Sequence, residues 1–212
     1  MKSYRDLLAN ANEWAEKDGH YIYTRDVGEE QIEYEILHGN EKIVFIKAGA
    51  GGSARGYEDK YLKMARRIHE RIGATVICAS NPDEPHEELD EAEIKRVISE
   101  KSFSNVKLYF VGASDGAYHN LSLARKFPET KKWLGINTSY IELSELEEKL
   151  NGLSSVTKTM IYGTKDDDFD EVIPTLRKLE NDKLKIVLFE GADHSFTGMV
   201  DEFVALSDYL DN

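Results

Sequence analysis

The chain has 212 residues, of which 41% are hydrophobic and 32% are charged, and its formal net charge at pH 7 is −13. This length accommodates one domain with a substantial core. The excess of acidic residues disfavours nucleic acids and anionic membranes as partners, because both require basic protein surfaces. No apolar run approaches the roughly 20 residues that span a bilayer.

Two features of the sequence favour the cytoplasm. The N-terminal segment contains acidic residues and lacks the uninterrupted apolar stretch of a secretory signal. Cys78 is the single cysteine, so no internal disulfide framework is possible. The sequence also contains no H-x-x-x-H or C-x-x-C spacing, and it predicts neither a metal ion nor an organic cofactor.

The first predicted element is a helix over Ser3–Lys17, in an N-terminal segment of residues 1–18 that packs on the domain. Two short alternating strands follow, at His20–Arg25 and Gln31–Leu37, and we expect them to pair antiparallel. The next strand, Lys42–Lys47, is more continuously apolar, which is typical of a buried central strand.

From Lys42 onward, predicted strands and helices alternate. The later strands are Ala74–Ala79, Val106–Val111, Trp133–Asn137, Thr157–Tyr162 and Lys185–Phe189. The helices are Tyr57–Ile72, Glu91–Lys101, one that ends before Pro128, Glu142–Leu150, Phe169–Leu179 and Thr197–Leu210. The alternation predicts an α/β domain over residues 1–212, with a mostly parallel sheet of about seven to eight strands and helices on both faces. Ligands bind at the carboxyl ends of such strands, so the chemistry is expected there.

The segment Gly112–Gly116 (GASDG) lies between a predicted strand and a predicted helix. It has the form G-x-S-x-G of a nucleophile elbow. Glycines are needed because the turn is too sharp for side chains beside the serine. Such a turn holds the Ser114 hydroxyl above the sheet, next to the Asp115 amide and a helix N-terminus, where negative charge is stabilised. An ordinary strand-to-helix turn with a small serine also fits these five residues.

Two other polar stretches follow predicted strands. They are Gly163–Asp168 (GTKDDD) and Gly191–His194 (GADH). A serine hydroxyl becomes a nucleophile only beside a general base, usually histidine, that another group orients. The chain order of serine, acid and histidine, each at the end of a strand, therefore indicates nucleophilic catalysis.

At this point the chain resembles the α/β-hydrolase superfamily. The resemblance extends from about His20 to the C-terminus, and it rests on GASDG at the elbow, GTKD after the penultimate strand and DH after the last strand. It implies the α/β-hydrolase fold. It also implies that no cap domain is present, because only the segment 138–156 is available for one.

The resemblance implies Ser114 as the nucleophile, His194 as the base and an acid after the penultimate strand. The superfamily's acid is usually the third residue after a glycine at that strand end, which is Asp166 here. Asp167 is a credible substitute and Asp168 a weaker one, because either could instead cap the following helix. The other five histidines are expected to be structural or exposed: His20, His38, His69, His86 and His119.

The glycine-rich stretch Gly49–Gly56 lies where the superfamily places its second oxyanion donor. By position the Ala50 amide would pair with the Asp115 amide. Lys47, Arg55 and Tyr57 flank this loop, and we expect them to be solvated surface residues.

The same loop allows another interpretation. Residues Gly49–Ala54 (GAGGSA) fit the dinucleotide fingerprint G-x-G-x-x-A, although they follow the third predicted strand rather than the first. The sequence predicts a cytoplasmic serine hydrolase that cleaves a small or exposed ester or thioester in an open site through an acyl-enzyme. A catalytically inactive relative that binds a ligand, and a nucleotide-binding protein, are the alternatives.

Overall fold

The computed structural model of the protein describes residues 11–17, 20–27, 30–82, 86–140 and 142–211. The strands are β1 (Ala11–Lys17), β2 (His20–Val27), β3 (Glu30–Leu37), β4 (Asn40–Lys47), β5 (Ala74–Ala79), β6 (Lys107–Ala113), β7 (Thr130–Ile136), β8 (Thr157–Gly163) and β9 (Leu184–Phe189). The helices are α1 (Lys60–Ile72), α2 (Glu87–Glu100), α3 (Asp115–Arg125), α4 (Leu143–Asn151), α5 (Phe169–Leu176) and α6 (Val200–Ala205). Short 3₁₀ segments occur at Tyr57–Asp59, Arg177–Leu179 and Leu206–Leu210.

The described strands form a single sheet in the order β1-β2-β3-β5-β4-β6-β7-β8-β9. Strands β1, β2 and β3 pair antiparallel, and β3 pairs antiparallel with β5. Every pairing from β5 to β9 is parallel. The carboxyl ends of β4 and β6–β9 therefore lie along one edge of the sheet, which is where α/β proteins bind ligands.

Helices cover both faces of this sheet. On one face α1 and α6 bury apolar side chains such as Tyr61, Ala65 and Phe203. On the other face α2–α5 bury side chains such as Leu121 and Leu146. Residues Tyr61, Ala65 and Ile68 lie about one turn apart on α1, so they form one apolar stripe.

The first predicted element was wrong where the structure describes it. Ala11–Lys17 form an edge strand instead of part of a helix, and residues 3–10 of that prediction lie outside the described residues. The backbone of this strand pairs antiparallel with β2, from Ala11 opposite Arg25 to Lys17 opposite His20. Pairing with β2 outweighs the helical propensity of this segment, which its two alanines, two glutamates and lysine favour. Within the described residues the sheet consequently has nine strands, where about seven to eight were predicted.

The predicted helix Tyr57–Ile72 begins later than its pattern suggests. Glu58 and Asp59 have φ values of 50° and 58°, which a right-handed helix does not accommodate, so α1 starts only at Lys60. Tyr57 is consequently 58% exposed rather than part of the buried stripe. The helix ends as predicted, at Gly73 with φ 65°.

The remaining elements agree with the predicted alternation to within a few residues. Over the described residues between β7 and β8, the chain forms helix α4 and no cap domain. None of the helices in the described ranges has the length and apolar character needed to cross a membrane.

Candidate active site

The turn between β6 and α3 has the strained geometry that its sequence predicts. Ser114 has φ 53° and ψ −128°, a conformation that residues other than glycine rarely adopt. A Cβ atom at Gly112 would lie 2.4 Å from the Cα of Ala117, and one at Gly116 would lie 1.9 Å from the Ala48 carbonyl oxygen. Neither glycine can carry a side chain, so the backbone around Ser114 is closely packed on both sides.

The Ser114 hydroxyl begins a chain of hydrogen bonds across three strand ends. Its Oγ lies 3.0 Å from Nε2 of His194, and Nδ1 of His194 lies 2.7 Å from Oδ2 of Asp166. The His194 side chain is 46% exposed, whereas that of Asp166 is only 7% exposed. With a proton on Nδ1, the ring can accept the Ser114 proton at Nε2 while the carboxylate holds its orientation.

The structure distinguishes among the three candidate acids. Asp166 contacts His194, while Asp167 and Asp168 are exposed at the beginning of α5. Asp168 occupies the N-cap position of α5 without a side-chain capping hydrogen bond. Asp166 is therefore the acid whose position fits the predicted order of serine, acid and histidine.

Asn137 ties together the ends of β7, β8 and β9. Its side chain is buried, and its Nδ2 donates to the carbonyl oxygens of His194 at 2.8 Å and Asp193 at 3.2 Å. Its Oδ1 accepts a hydrogen bond from the Gly163 amide at 2.8 Å. The two loops that carry Asp166 and His194 are thus held by one side chain.

The His194 loop is also braced from within and from α1. Oδ1 of Asp193 accepts the amides of Ser195 at 3.0 Å and Thr197 at 2.8 Å. These backbone donors, that of Thr197 first, lower the pKa of Asp193. The Nζ atom of Lys60 donates to the Ser195 carbonyl oxygen at 3.0 Å. These contacts hold the imidazole of His194 in place even though it is exposed.

Sequence reasoning did not identify Ser139, whose Oγ lies 2.9 Å from Oγ of Ser114. When Ser114 donates to His194, Ser139 must be the donor in this second hydrogen bond. Ser139 and Asn137 both follow the carboxyl end of β7. Their position at a strand end could have identified both residues from the sequence. Ligand-binding residues in such sheets follow the carboxyl ends of the strands, and the same rule identified Ser114, Asp166 and His194.

The glycine-rich loop lies directly against the nucleophile. A Cβ atom at Gly49 would lie 3.3 Å from the Cβ of Ser114. The loop is held by a hydrogen bond from the Gly52 amide to the Gly49 carbonyl oxygen at 2.9 Å and by one from the Asn81 amide to the Gly52 carbonyl oxygen at 2.9 Å. Because Gly49 lies against Ser114, the next residue in the loop, Ala50, is also close to the nucleophile.

The two amides predicted as oxyanion donors are not occupied by other described groups. Ala50 is exposed, and its N–H makes no hydrogen bond to any residue in the described part of the chain. Asp115 is the first residue of α3, so its N–H has no acceptor within the helix. Both N–H groups are available to a ligand.

The loop is poorly suited to the alternative role in nucleotide binding. The amides of Gly52 and Gly56 donate to carbonyl oxygens within the loop, and the Ala54 amide donates to Oε2 of Glu33 at 3.2 Å. Helix α1 does not begin until Lys60. A dinucleotide fingerprint instead opens directly into a helix, whose N-terminus holds the phosphates.

Two of the three residues that flank this loop are ion-paired. Lys47 was expected to be solvated, but it is 1% exposed and its Nζ lies 2.8 Å from Oδ2 of Asp90. Arg55 donates to both carboxylate oxygens of Glu35 at 2.9 Å. The expectation was wrong for Lys47 because the central strand β4 is enclosed on both faces up to its end.

A second histidine and aspartate pair lies beside the elbow. Nε2 of His119 lies 3.0 Å from Oδ2 of Asp115, and Nδ1 lies 3.8 Å from Oε1 of Glu87. Burial acts to lower the pKa of His119, but the two carboxylates outweigh it and raise the pKa to about 9. The interaction with His119 in turn lowers the pKa of Asp115, and a hydrogen bond from Asn81 adds to that effect.

A cleft of about 360 Å³ opens beside His194. Its lining includes Ser139, Asp166 and His194, so it is continuous with the groups around Ser114. Among the described residues, no group of three or more histidine, cysteine, aspartate or glutamate side chains could hold a metal ion.

No protein-family model and no curated protein matches this sequence. Solved structures do resemble it. The esterase domain of a Rhodothermus marinus protein has a TM-score of 0.66 at 12% identity, covering 89% of this chain and 95% of that one. An alpha-beta serine hydrolase homologue from Coxiella burnetii has a TM-score of 0.64 at 15% identity, and the alignment covers 93% of this chain and 99% of that one. A serine hydrolase without a lid from Xanthomonas campestris has a TM-score of 0.63 at 14% identity, and the alignment covers 92% of this chain and 94% of that one.

Likeness at these identities concerns the fold. The chain has the α/β-hydrolase fold, as predicted, and no cap domain interrupts the fold within the residues that the structure describes.

Proposed function

We propose that this protein is a serine hydrolase that cleaves a small or exposed ester or thioester. The observation that carries the proposal is the hydrogen-bonded chain Ser114–His194–Asp166, built on a strained turn beside a glycine-rich loop. A serine in a simple strand-to-helix turn needs neither a histidine at 3.0 Å nor a nearly buried carboxylate behind that histidine.

In the proposed first step, Oγ of Ser114 attacks the carbonyl carbon of the substrate while Nε2 of His194 takes the hydroxyl proton. The carboxylate of Asp166 orients the ring and stabilises the imidazolium that forms. The amides of Ala50 and Asp115 would donate to the developing oxyanion. Losing one such donor costs roughly 3 kcal/mol in the transition state.

The tetrahedral intermediate then collapses: the bond from the carbonyl carbon to the leaving oxygen or sulfur breaks, and His194 gives that atom the proton, which leaves the acyl-enzyme. In the second half of the reaction, His194 takes a proton from the water that attacks the acyl carbon. It passes this proton to Oγ of Ser114 as the bond between Ser114 and the acyl group breaks, which releases the acid. Ser139 supports the first step because its hydroxyl donates to Ser114 and holds Oγ toward His194. The exposure of His194 and the absence of a cap between the described ends of β7 and β8 favour a small or exposed substrate.

The experiment that tests the proposal is labelling with a fluorophosphonate probe, with turnover of p-nitrophenyl acetate measured alongside. Wild type and Asp167→Asn should label, whereas Ser114→Ala and His194→Ala should not. Asp167 is a suitable control because it is exposed and does not contact His194. A folded wild type that neither labels nor turns over would overturn the proposal and favour the catalytically inactive binding protein.

A further inference from the structure

The cleft beside His194 has the chemistry of a site for a positively charged group. Its lining includes the carboxylates of Asp168 and Glu171 in addition to Asp166. Among the described residues that line it, none is a lysine or an arginine. Since Asp166 is engaged by His194, the charges of Asp168 and Glu171 are the ones that a ligand would meet.

Two aromatic side chains, Tyr140 and Phe169, line the same cleft. Aromatic rings attract cations through their electron-rich faces, and the attraction strengthens where water is partly excluded. Burial and then the carboxylates of Glu171 and Asp168 raise the pKa of Tyr140, so its phenol stays neutral and adds no further negative charge. Aromatic side chains are a known means by which proteins bind ammonium groups, and the nearby carboxylates add attraction of the same sign.

The position of His194 indicates which part of the substrate occupies the cleft. In the proposed reaction His194 must deliver a proton to the leaving oxygen, so the leaving group lies on the side of the imidazole. The cleft is lined by His194, Ser139 and Asp166, whereas the oxyanion loop at Gly49 approaches Ser114 separately. The cleft therefore lies where the alcohol part of an ester would bind.

We propose that the alcohol part of the substrate carries an ammonium group, which this cleft binds between its carboxylates and aromatic rings. This inference rests on the proposed function and specifies the substrate class of the same site. The substrate would be an ester of an amino alcohol.

The test compares two esters of nearly the same shape at pH 7. In 2-(dimethylamino)ethyl acetate the amine is protonated, and in 3-methylbutyl acetate a CH group replaces the charged nitrogen. Each kcat/KM is divided by the rate constant for alkaline hydrolysis of the same ester, which removes the difference in intrinsic reactivity. We expect the wild type to prefer the charged ester by roughly tenfold, which corresponds to one cation–π contact and one exposed ion pair.

Variants of the cleft locate the source of that preference. Glu171→Gln and Asp168→Asn should each reduce the preference about two- to fivefold, through a lower kcat/KM for the charged ester. Asp170→Asn is the matched control, because Asp170 is also an exposed acid in the first turn of α5 but does not line the cleft. A normalised ratio near one in the wild type, or an equal loss in Asp170→Asn, overturns the proposal.

A binding measurement separates this inference from the proposed function. Calorimetry of Ser114→Ala with each ester needs no catalysis. Tighter binding of the charged ester supports the cationic site even if the wild type fails to label with fluorophosphonate, in which case only the hydrolase proposal fails. Equal binding of the two esters, or binding of neither, overturns the cationic site even if labelling succeeds.

Discussion

Two histidine and aspartate pairs flank Ser114, and they differ in what the second ring nitrogen contacts. In His194 one nitrogen contacts Asp166 and the other contacts the Ser114 hydroxyl. In His119 both nitrogens face carboxylates, those of Asp115 and Glu87. The first ring can accept a proton from serine, whereas the second is held as a cation with its pKa raised to about 9.

The comparison shows that a short contact between histidine and aspartate does not by itself indicate a catalytic base. A base needs a carboxylate on one side only, with an accessible acceptor nitrogen on the other. The His194 side chain is also 46% exposed, whereas that of His119, which belongs to the elbow helix α3 itself, is 17% exposed. The following experiments test this distinction, in order of decreasing expected effect on the reaction rate.

Removing the base should produce the largest loss. We expect His194→Ala to lower kcat/KM for p-nitrophenyl acetate by about 10⁴-fold or more, since the Ser114 hydroxyl then has no proton acceptor. Ser114→Ala should lose a similar amount, and the double variant should lose little more than either single one. Steady-state kinetics measures kcat/KM of each variant, and circular dichroism checks that each variant is folded. A His194→Ala rate within tenfold of the wild type would contradict the assignment.

Replacing the proposed acid, Asp166, should produce the second-largest loss of activity. Asp166→Asn keeps the shape of the side chain but removes the charge that orients and stabilises the imidazolium, so kcat should fall by about 10³- to 10⁴-fold. Asp167→Asn, one residue away and exposed, should remain within about twofold of the wild type. The same kinetic assay decides between the two aspartates. The opposite pattern would assign the acid to Asp167.

Ser139 should have a smaller effect. Ser139→Ala removes one hydrogen bond to the nucleophile, which corresponds to about a tenfold loss in kcat/KM. Ser139→Thr keeps the hydroxyl and should recover most of the rate. Pre-steady-state kinetics with p-nitrophenyl acetate would show the loss in the acylation phase, because the hydrogen bond holds the hydroxyl that attacks. Equal rates for the alanine and threonine variants would exclude the hydroxyl as the cause.

His119 should affect stability much more than rate. His119→Gln should leave kcat/KM within about threefold of the wild type, since His119 contacts Asp115 and not the Ser114 hydroxyl. The folded-state pKa of about 9 exceeds the ordinary value of 6.5, so the protonated ring stabilises the folded protein. That contribution is complete below pH 6.5 and is lost as the pH rises through about 9. It amounts to at most about 3 kcal/mol.

Urea unfolding of the wild type and His119→Gln at pH 6, 8 and 10 measures this contribution. The variant should be less stable at pH 6, and the difference in the free energy of unfolding should shrink by pH 10. A difference that stays constant across this range would indicate lost packing rather than a lost ion pair.

The parts of the fold that were predicted correctly depend on local patterns. Buried Ile32, Tyr34 and Ile36 alternate along β3, and such a period-two pattern is readable wherever one face of a strand is covered. Edge strand β1 was not predicted, because its residues carry no such alternation and its strand conformation depends on pairing with β2. Lys47 looked like surface because its ion partner, Asp90, lies 43 positions away on α2.

The sequence by itself determined the alternation of strands and helices, the elbow at Gly112–Gly116 and the placement of a serine, an acidic stretch and a histidine at three strand ends. These features follow from periodicity and from the few conformations that glycine-rich turns allow. The tertiary structure alone decided that Asp166 contacts His194, that Ser139 contacts Ser114 and that the cleft beside them is acidic and aromatic. Ser114 and His194 are 80 positions apart in the chain, so their hydrogen bond depends on how the whole sheet packs.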